Sequence, residues 1–185
     1  KFIRRNKSKP FFLYLAHNLP HVPLFASGRF RHKSLRGLYG DVIEEIDDGV
    51  GRILRTLRSQ GLAENTFVVF TSDNGPWLIF NEHGGSAGLL REGKGCTFEG
   101  GMREPCIMWW PGKIKPGSAS DQTICQTDIM ATCAAIVGYE LPNNAAEDSF
   151  NLLPALLGKE KVIRPFTLHQ TIKLALAIRK GGWKY

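Results

Sequence analysis

One stretch of the sequence combines side chains that could bind a cation with one that could bind an anion. Asp73 and Asn74 stand in a Ser-Asp-Asn-Gly-Pro turn, and Lys94 stands between two glycines downstream. Carboxylate and amide oxygens are the ligands that hard cations such as calcium prefer. A lysine ammonium is a compact positive charge, and neighbouring glycines let the backbone approach a ligand closely. These residues predict a site that holds an anion against a cation.

The element that must position the acidic pair is a strand. Residues 66–70 are apolar, β-branched or aromatic, which is typical of a strand covered on both faces. The turn residues that follow end this strand at Asp73. In an open parallel sheet, ligands bind just beyond the carboxyl ends of the strands. The pattern therefore predicts an α/β fold with the site at one edge of its sheet.

Three histidines lie in loops that could reach this edge. An apolar run at residues 11–16 predicts a second central strand, and His17 and His21 follow it in a loop that two prolines keep extended. His83 lies in the glycine-rich loop after the first strand. Each histidine could face the site, or could be a loop residue hydrogen-bonded to the backbone.

The other elements follow from periodicity and from turn residues. Apolar residues spaced by three and four predict an amphipathic helix over residues 34–61, with Asp41 as its N-terminal cap. Residues 105–110 read as a buried strand, and residues 128–138 as a short helix that ends at a glycine. Weak alternation about a Gly-Gly pair predicts a hairpin over residues 174–185.

Composition excludes several classes of protein. The chain has 185 residues and a net charge of +7, but its basic residues are concentrated near the two ends and form no nucleic-acid-binding motif. No apolar run approaches the length of a membrane helix. The four cysteines contain no Cys-x-x-Cys pair, which argues against a zinc ribbon and leaves their redox state open. The loop before Lys94 lacks the pattern of a nucleotide-binding P-loop.

Several segments together resemble the formylglycine-dependent type I sulfatases of the alkaline-phosphatase-like superfamily. They are PFFLYLAHNLPHVPL, GLYGDVIEEIDDGVGRIL, VVFTSDNGP, LREGKGCTFEGGMREPCIMWWPGKI and the closing LAIRKGGWKY, in this order. The resemblance implies a mostly parallel central sheet flanked by helices. It also implies that residues 1–158 are the C-terminal part of the catalytic domain, and that residues 159–185 begin a small antiparallel C-terminal subdomain.

The resemblance also implies roles for individual residues. Asp73 and Asn74 match ligands of a calcium ion, while Lys94 and His21 match residues that hold the sulfate oxygens and help to protonate the departing alcohol. The implied substrate is a small-molecule or carbohydrate sulfate ester, with no nucleic-acid partner and no membrane span. The sequence itself leaves the compartment open, but members of this family are commonly periplasmic, secreted or lysosomal, and the resemblance suggests a periplasmic or secreted location.

Two parts of the sulfatase pattern are absent from this sequence. None of the four cysteines stands in the Cys-x-Pro-x-Arg motif that yields the formylglycine nucleophile, and the family's first metal-binding aspartate pair is missing. We expect both to lie upstream, and we expect this chain alone to be inactive. Two alternatives are a phosphoester or phosphonate hydrolase of the same superfamily and a catalytically inactive anion-binding domain. The sequence leaves open which sulfate ester is the substrate.

Overall fold

A computed structural model describes residues 1–159 and 163–185 and contains both helices and strands, as the expected α/β class requires. The α-helices are α1 Phe2–Asn6, α2 Gly37–Ser59, α3 Glu99–Met102, α4 Asp128–Val137 and α5 Leu153–Leu156. Short 3₁₀ helices span Ala63–Asn65 and Leu78–His83, and the strands are β1 Val68–Thr71, β2 Cys106–Trp109, β3 Thr167–Gln170, β4 Leu176–Lys180 and β5 Trp183–Lys184. The division into domains 1–158 and 159–185 stays a prediction. Residues 160–162 of the second domain lie outside the described residues.

Strands β1 and β2 are the two expected on either side of the glycine-rich loop. They pair antiparallel, with Val68 opposite Trp109 and Thr71 opposite Cys106. The expectation that they are covered on both faces is wrong for the described residues, since Phe70 is 38% exposed and Ile107 is 62% exposed. Both sheets that the described residues form are antiparallel, so the strand pairs seen here are not the parallel neighbours of the expected central sheet.

The apolar segment at residues 11–16 does not form the expected strand. Phe12 is 74% exposed and Tyr14 is 80% exposed. A strand needs a neighbour for its backbone N–H and C=O groups, and no other segment among residues 1–159 and 163–185 pairs with this one. Composition favoured a strand here, but the absence of a pairing partner decided the conformation.

Helix α2 forms as predicted but begins later than expected, at Gly37. Asp41 is therefore inside the helix and is not its cap. Its carboxylate instead accepts hydrogen bonds from the backbone N–H groups of His32, Lys33 and Ser34, at 2.8–3.0 Å. The hydrogen bond from Ser34 is the main cause that lowers the pKa of Asp41. The buried carboxylate thus fixes the loop that enters the helix.

Helix α4 carries a buried ion pair at its first residue. It ends at Gly138, whose φ of 69° is left-handed, as the sequence predicts. The Arg164 guanidinium lies 2.8 Å from Oδ1 of Asp128, and both side chains are almost fully buried. Asp128 also accepts hydrogen bonds from the N–H groups of Cys125 and Phe150. One carboxylate therefore joins three separate segments of the chain.

The C-terminal segment forms a three-stranded antiparallel sheet in the order β3-β4-β5. The predicted hairpin is confirmed, because β4 and β5 pair across the turn at Gly181, where φ is 56°. Strand β3 was not anticipated from the sequence. All four cysteines are unpaired. Among the described residues, no helix has the length and apolar character needed to cross a bilayer.

Candidate active site

Close backbone packing of the glycine-rich loop brings distant segments together. The N–H of Gly75 donates to the carbonyl of Gly101 at 3.1 Å, and the N–H of Lys94 donates to the carbonyl of Pro76 at 2.8 Å. A Cβ atom on Gly75 would lie 1.8 Å from the Gly100 carbonyl oxygen, and one on Gly93 would lie 2.4 Å from that of Pro76. Side chains at these positions would separate the two segments, so the glycines are required to bring Lys94 beside the end of the acidic turn.

Two of the candidate side chains, Lys94 and His21, meet at the indole ring of Trp77. The ammonium of Lys94 lies 4.8 Å from the centroid of that ring, and the imidazole of His21 lies 5.6 Å from it. The cation–π attraction holds the lysine charge above the indole. Phe80 packs edge-on against the same indole at 4.8 Å. Trp77 therefore positions both groups, a role that its place in an apolar loop did not reveal.

The ring nitrogens of His21 have distinct environments. Nδ1 lies 2.7 Å from the carbonyl oxygen of Val22. Because a carbonyl only accepts hydrogen bonds, Nδ1 carries the proton, and Nε2 is the nitrogen that can exchange a proton with a ligand. The side chain is exposed, so a ligand can reach it.

Asp73 and Asn74 lie directly after β1, as the sequence predicts. Asp73 is exposed and Asn74 is half-buried. The side-chain amide of Asn74 donates to the carbonyl of Gly75 at 3.0 Å, and the Ser72 hydroxyl donates to the carbonyl of Asn74 at 3.1 Å. Since the amide nitrogen is engaged inside the turn, the oxygen of Asn74 is the atom available to a cation.

A third acidic residue, Glu104, lies close to this turn. Extending the β1–β2 register by two residues places Glu104 opposite Asp73. Burial, together with the negative charge of Asp73, raises the pKa of Glu104 to about 7. Glu104 is not a candidate from the sequence, because only the antiparallel pairing of two strands far apart in sequence brings it beside Asp73.

We expect the ionisation of Glu104 to destabilise the metal-free full-length protein as the pH rises from about 4.5 to about 7, so Glu104→Gln should remove this contribution to the change of stability with pH. The native carboxyl keeps its proton to about pH 7, whereas the unfolded one releases it near 4.5, so ionisation favours unfolding in this window. Thermal unfolding in a chelating buffer at several pH values measures how the stability of each variant changes with pH. Glu140→Gln, at an exposed position, is the control. An equal change of stability with pH in Glu104→Gln and Glu140→Gln would contradict the raised pKa of Glu104.

The other two histidines are not brought to Trp77. The Nδ1 atom of His17 accepts a hydrogen bond from the N–H of Leu19 at 3.1 Å, and its ring lines a separate cleft beside Glu45. His83 is exposed at the end of a 3₁₀ helix. Of the three histidines, His21 alone contacts Trp77 in the structure. In the sequence, only the family resemblance separated His21 from the other two.

The donor atoms at the end of β1 fit a calcium ion in type but not in number. Asp73 and Asn74 offer a carboxylate and an amide oxygen, whereas calcium takes six to eight oxygen ligands. Within the described ranges, no group of three or more His, Cys, Asp or Glu side chains is arranged to hold a metal. These residues could therefore supply part of a calcium shell.

The chain is similar in sequence to proteins of known function. The family model described as Sulfatase matches residues 1–139. The chain is 48% identical to the N-acetylgalactosamine-6-sulfatase of Sus scrofa, over 99% of this chain and 35% of that protein. It is 40% identical to human arylsulfatase A, over 97% of this chain and 36% of that protein.

The chain is also similar in fold to a solved structure. It comes from work on the metabolism of multiple glycosaminoglycans by Bacteroides thetaiotaomicron, and it superposes with a TM-score of 0.90 at 40% identity. The match covers 99% of this chain and 40% of that one. The chain thus spans between a third and two fifths of the length of these proteins. Matches of this extent in sequence and in fold show that the chain belongs to the sulfatase family.

Proposed function

We propose that the full-length protein hydrolyses sulfate monoesters and that this chain supplies part of its active site. The observation that carries the proposal is the convergence of Lys94 and His21 on the ring of Trp77. The backbone of Lys94 is tied to Pro76, two residues after Asn74. A positive group, a histidine and two oxygen donors near one loop suit a bound sulfate ester. The curated relatives named above are sulfatases, which favours sulfate over phosphate esters.

The residues of this chain stabilise negative charge and donate one proton. Cleavage of a sulfate ester develops negative charge on the leaving oxygen, and preformed positive groups stabilise that charge. Lys94 neutralises sulfate oxygens, and protonated His21 donates from Nε2 to the departing alcohol. A bound sulfate favours the charged form of this histidine. Trp77 holds both groups in place before the substrate arrives.

Calcium would be held in part by the oxygens of Asp73 and Asn74. When bound, it would polarise the sulfate group. The remaining ligands and the formylglycine nucleophile are expected outside this chain. The oxygen donor atoms of Asp73 and Asn74 favour calcium as the bound ion, since hard cations prefer oxygen to nitrogen or sulfur ligands.

The substrate that we propose is a sulfated carbohydrate. Its support is that two of the proteins compared above concern sulfated sugars: one is named for N-acetylgalactosamine 6-sulfate and one comes from work on glycosaminoglycans. A periplasmic or secreted location stays a prediction from the family resemblance.

The test is the calcium dependence of the full-length protein with a chromogenic aryl sulfate. We expect the Asp73→Ala variant to need at least about tenfold more calcium for half-maximal activity, because calcium affinity depends on the number of charged ligands. Asp47→Ala removes an exposed carboxylate of α2 and serves as the matched control, with a calcium dependence like that of wild type.

Two results would reject parts of this proposal. Equal calcium dependence in Asp73→Ala and wild type would remove Asp73 from the metal site. Failure of the wild-type protein to hydrolyse any sulfate ester, while it binds sulfate, would instead support the catalytically inactive anion-binding domain.

A further inference from the structure

A basic cleft lies between the glycine-rich loop and the C-terminal hairpin. Its volume is about 480 Å³, within the range of small-ligand sites. Arg91 and Phe98 line it from the loop, Arg179 and Lys184 line it from β4 and β5, and Glu99 lies at the start of α3. Two elements far apart in sequence therefore build one cavity.

The positive charge of this cleft is only partly neutralised. Nζ of Lys184 lies 2.5 Å from Oε1 of Glu99, so these two charges offset each other. Glu99 also interacts with Arg103 at 3.8 Å. Arg91 and Arg179 form no ion pair with any carboxylate of residues 1–159 and 163–185. The cleft thus keeps an excess of positive charge that can attract an anion.

Arg91 is held in an orientation that suits an anion with two acceptor oxygens. Its guanidinium carbon lies 3.8 Å from the centroid of the Phe98 ring. A stacked guanidinium keeps its N–H groups at the edge, where they can form two parallel hydrogen bonds with a carboxylate or a sulfate. Arg179 is positioned in turn by a hydrogen bond from Nη1 to the hydroxyl of Thr123.

The cleft adjoins the candidate active site through the loop itself. Arg91 precedes Lys94 by three residues. The carbonyl of Arg91 accepts a hydrogen bond from the N–H of Gly100 at 2.8 Å, and the N–H of Lys94 donates to the carbonyl of Pro76 at 2.8 Å. The carbonyl of Gly95 also receives the N–H of Ile172, which joins the loop to the C-terminal segment. Because the two residues Arg91 and Lys94 are three positions apart, their Cα atoms are separated by at most about 11 Å, a span that an oligosaccharide can bridge.

We propose that this cleft binds a second anionic group of a carbohydrate whose sulfate ester lies at Lys94 and His21. The inference rests on the sulfatase function proposed above and narrows its substrate to a polyanionic saccharide. The anion is a carboxylate of a uronic acid or a further sulfate, since a guanidinium binds both in the same way.

The test compares two substrates of the full-length protein. One is a chromogenic aryl sulfate, and the other is a galactosaminoglycan tetrasaccharide that carries uronic acids and sulfate. The measured quantity is kcat/KM for the tetrasaccharide divided by kcat/KM for the aryl sulfate. We expect Arg91→Gln to lower this ratio about tenfold, because it removes a hydrogen-bonded charge from the second contact. Arg91→Lys should recover part of the loss.

Arg58→Gln is the matched control. Arg58 also stacks on an aromatic ring, at 5.5 Å from the centroid of Trp109, but it lies at the end of α2 and not in the cleft. Its variant should keep the ratio of wild type. An Arg91→Gln ratio equal to that of Arg58→Gln would overturn the inference.

Modified tetrasaccharides distinguish the two sources of the anion. If reducing the uronic carboxylates to alcohols abolishes the effect of Arg91→Gln, the carboxylate is the second group. If removing the further sulfate abolishes it, that sulfate is the group. Cleavage of the aryl sulfate with no effect of Arg91 on the ratio rejects only this inference. Cleavage of neither substrate by wild type rejects the sulfatase function and this inference with it.

Discussion

We expect the Lys94→Met variant of the full-length protein to hydrolyse a sulfate ester with a kcat/KM about 10²–10³-fold below that of wild type. The ammonium of Lys94 is held above Trp77 before substrate binds, so its charge is available to the transition state without rearrangement. Methionine keeps the length of the side chain but removes its charge. Steady-state kinetics with an aryl sulfate at saturating calcium measures the loss.

The structure of the loop should survive this replacement. The hydrogen bond from residue 94 to Pro76 uses the backbone N–H, which methionine retains. Lys113→Met, at an exposed position, is the control for removal of one positive charge. A Lys94→Met variant with wild-type kcat/KM would remove Lys94 from the active site. A variant with a lowered unfolding temperature would indicate a structural role instead.

The second large effect is on stability. We expect Asp128→Asn to lower the free energy of unfolding by about 3–5 kcal/mol, because it removes the only buried carboxylate that pairs with Arg164 among the described residues and leaves only the exposed carboxylate of Asp148, at 3.3 Å. The side chain of Arg164 is 1% exposed and that of Asp128 is fully buried. Urea denaturation of the full-length protein measures the change.

A surface ion pair gives the comparison for this prediction. Arg29 and Asp48 lie 3.3 Å apart, but the side chain of Arg29 is 70% exposed. Asp48→Asn should therefore cost about 1 kcal/mol or less. Similar losses in the two variants would contradict the role assigned to burial. The double replacement Asp128→Leu with Arg164→Met should recover part of the stability, because it removes both buried charges.

Local sequence determined those parts of the fold that depend on neighbouring residues. Helix α2 follows from apolar residues that recur on one face, and the end of α4 follows from Gly138, which adopts a left-handed conformation. The β4–β5 hairpin follows from its glycine turn. The strand before Asp73 and the turn after it could be predicted for the same reason. Of these features, the strand before Asp73 alone also needs a distant partner, which is β2.

The candidate site was only partly predictable. The motifs identified Asp73, Asn74, Lys94 and His21 by resemblance, and their roles stay predictions. That Lys94 and His21 share the ring of Trp77 could not be read from the sequence, because the contact joins residues more than fifty positions apart. Two residues in contact across such a distance leave no trace in local periodicity.

Tertiary structure alone decided the remaining features, for reasons of pairing and burial. Residues 11–16 have the composition of a strand, but a strand also requires a partner for its backbone groups, and the described residues offer none. Glu104 became part of the site because the register of β1 and β2 sets it opposite Asp73. Asp41 has the sequence context of a helix cap, yet it binds the preceding loop from inside α2. In each case the partner group, and not the residue type, determined the outcome.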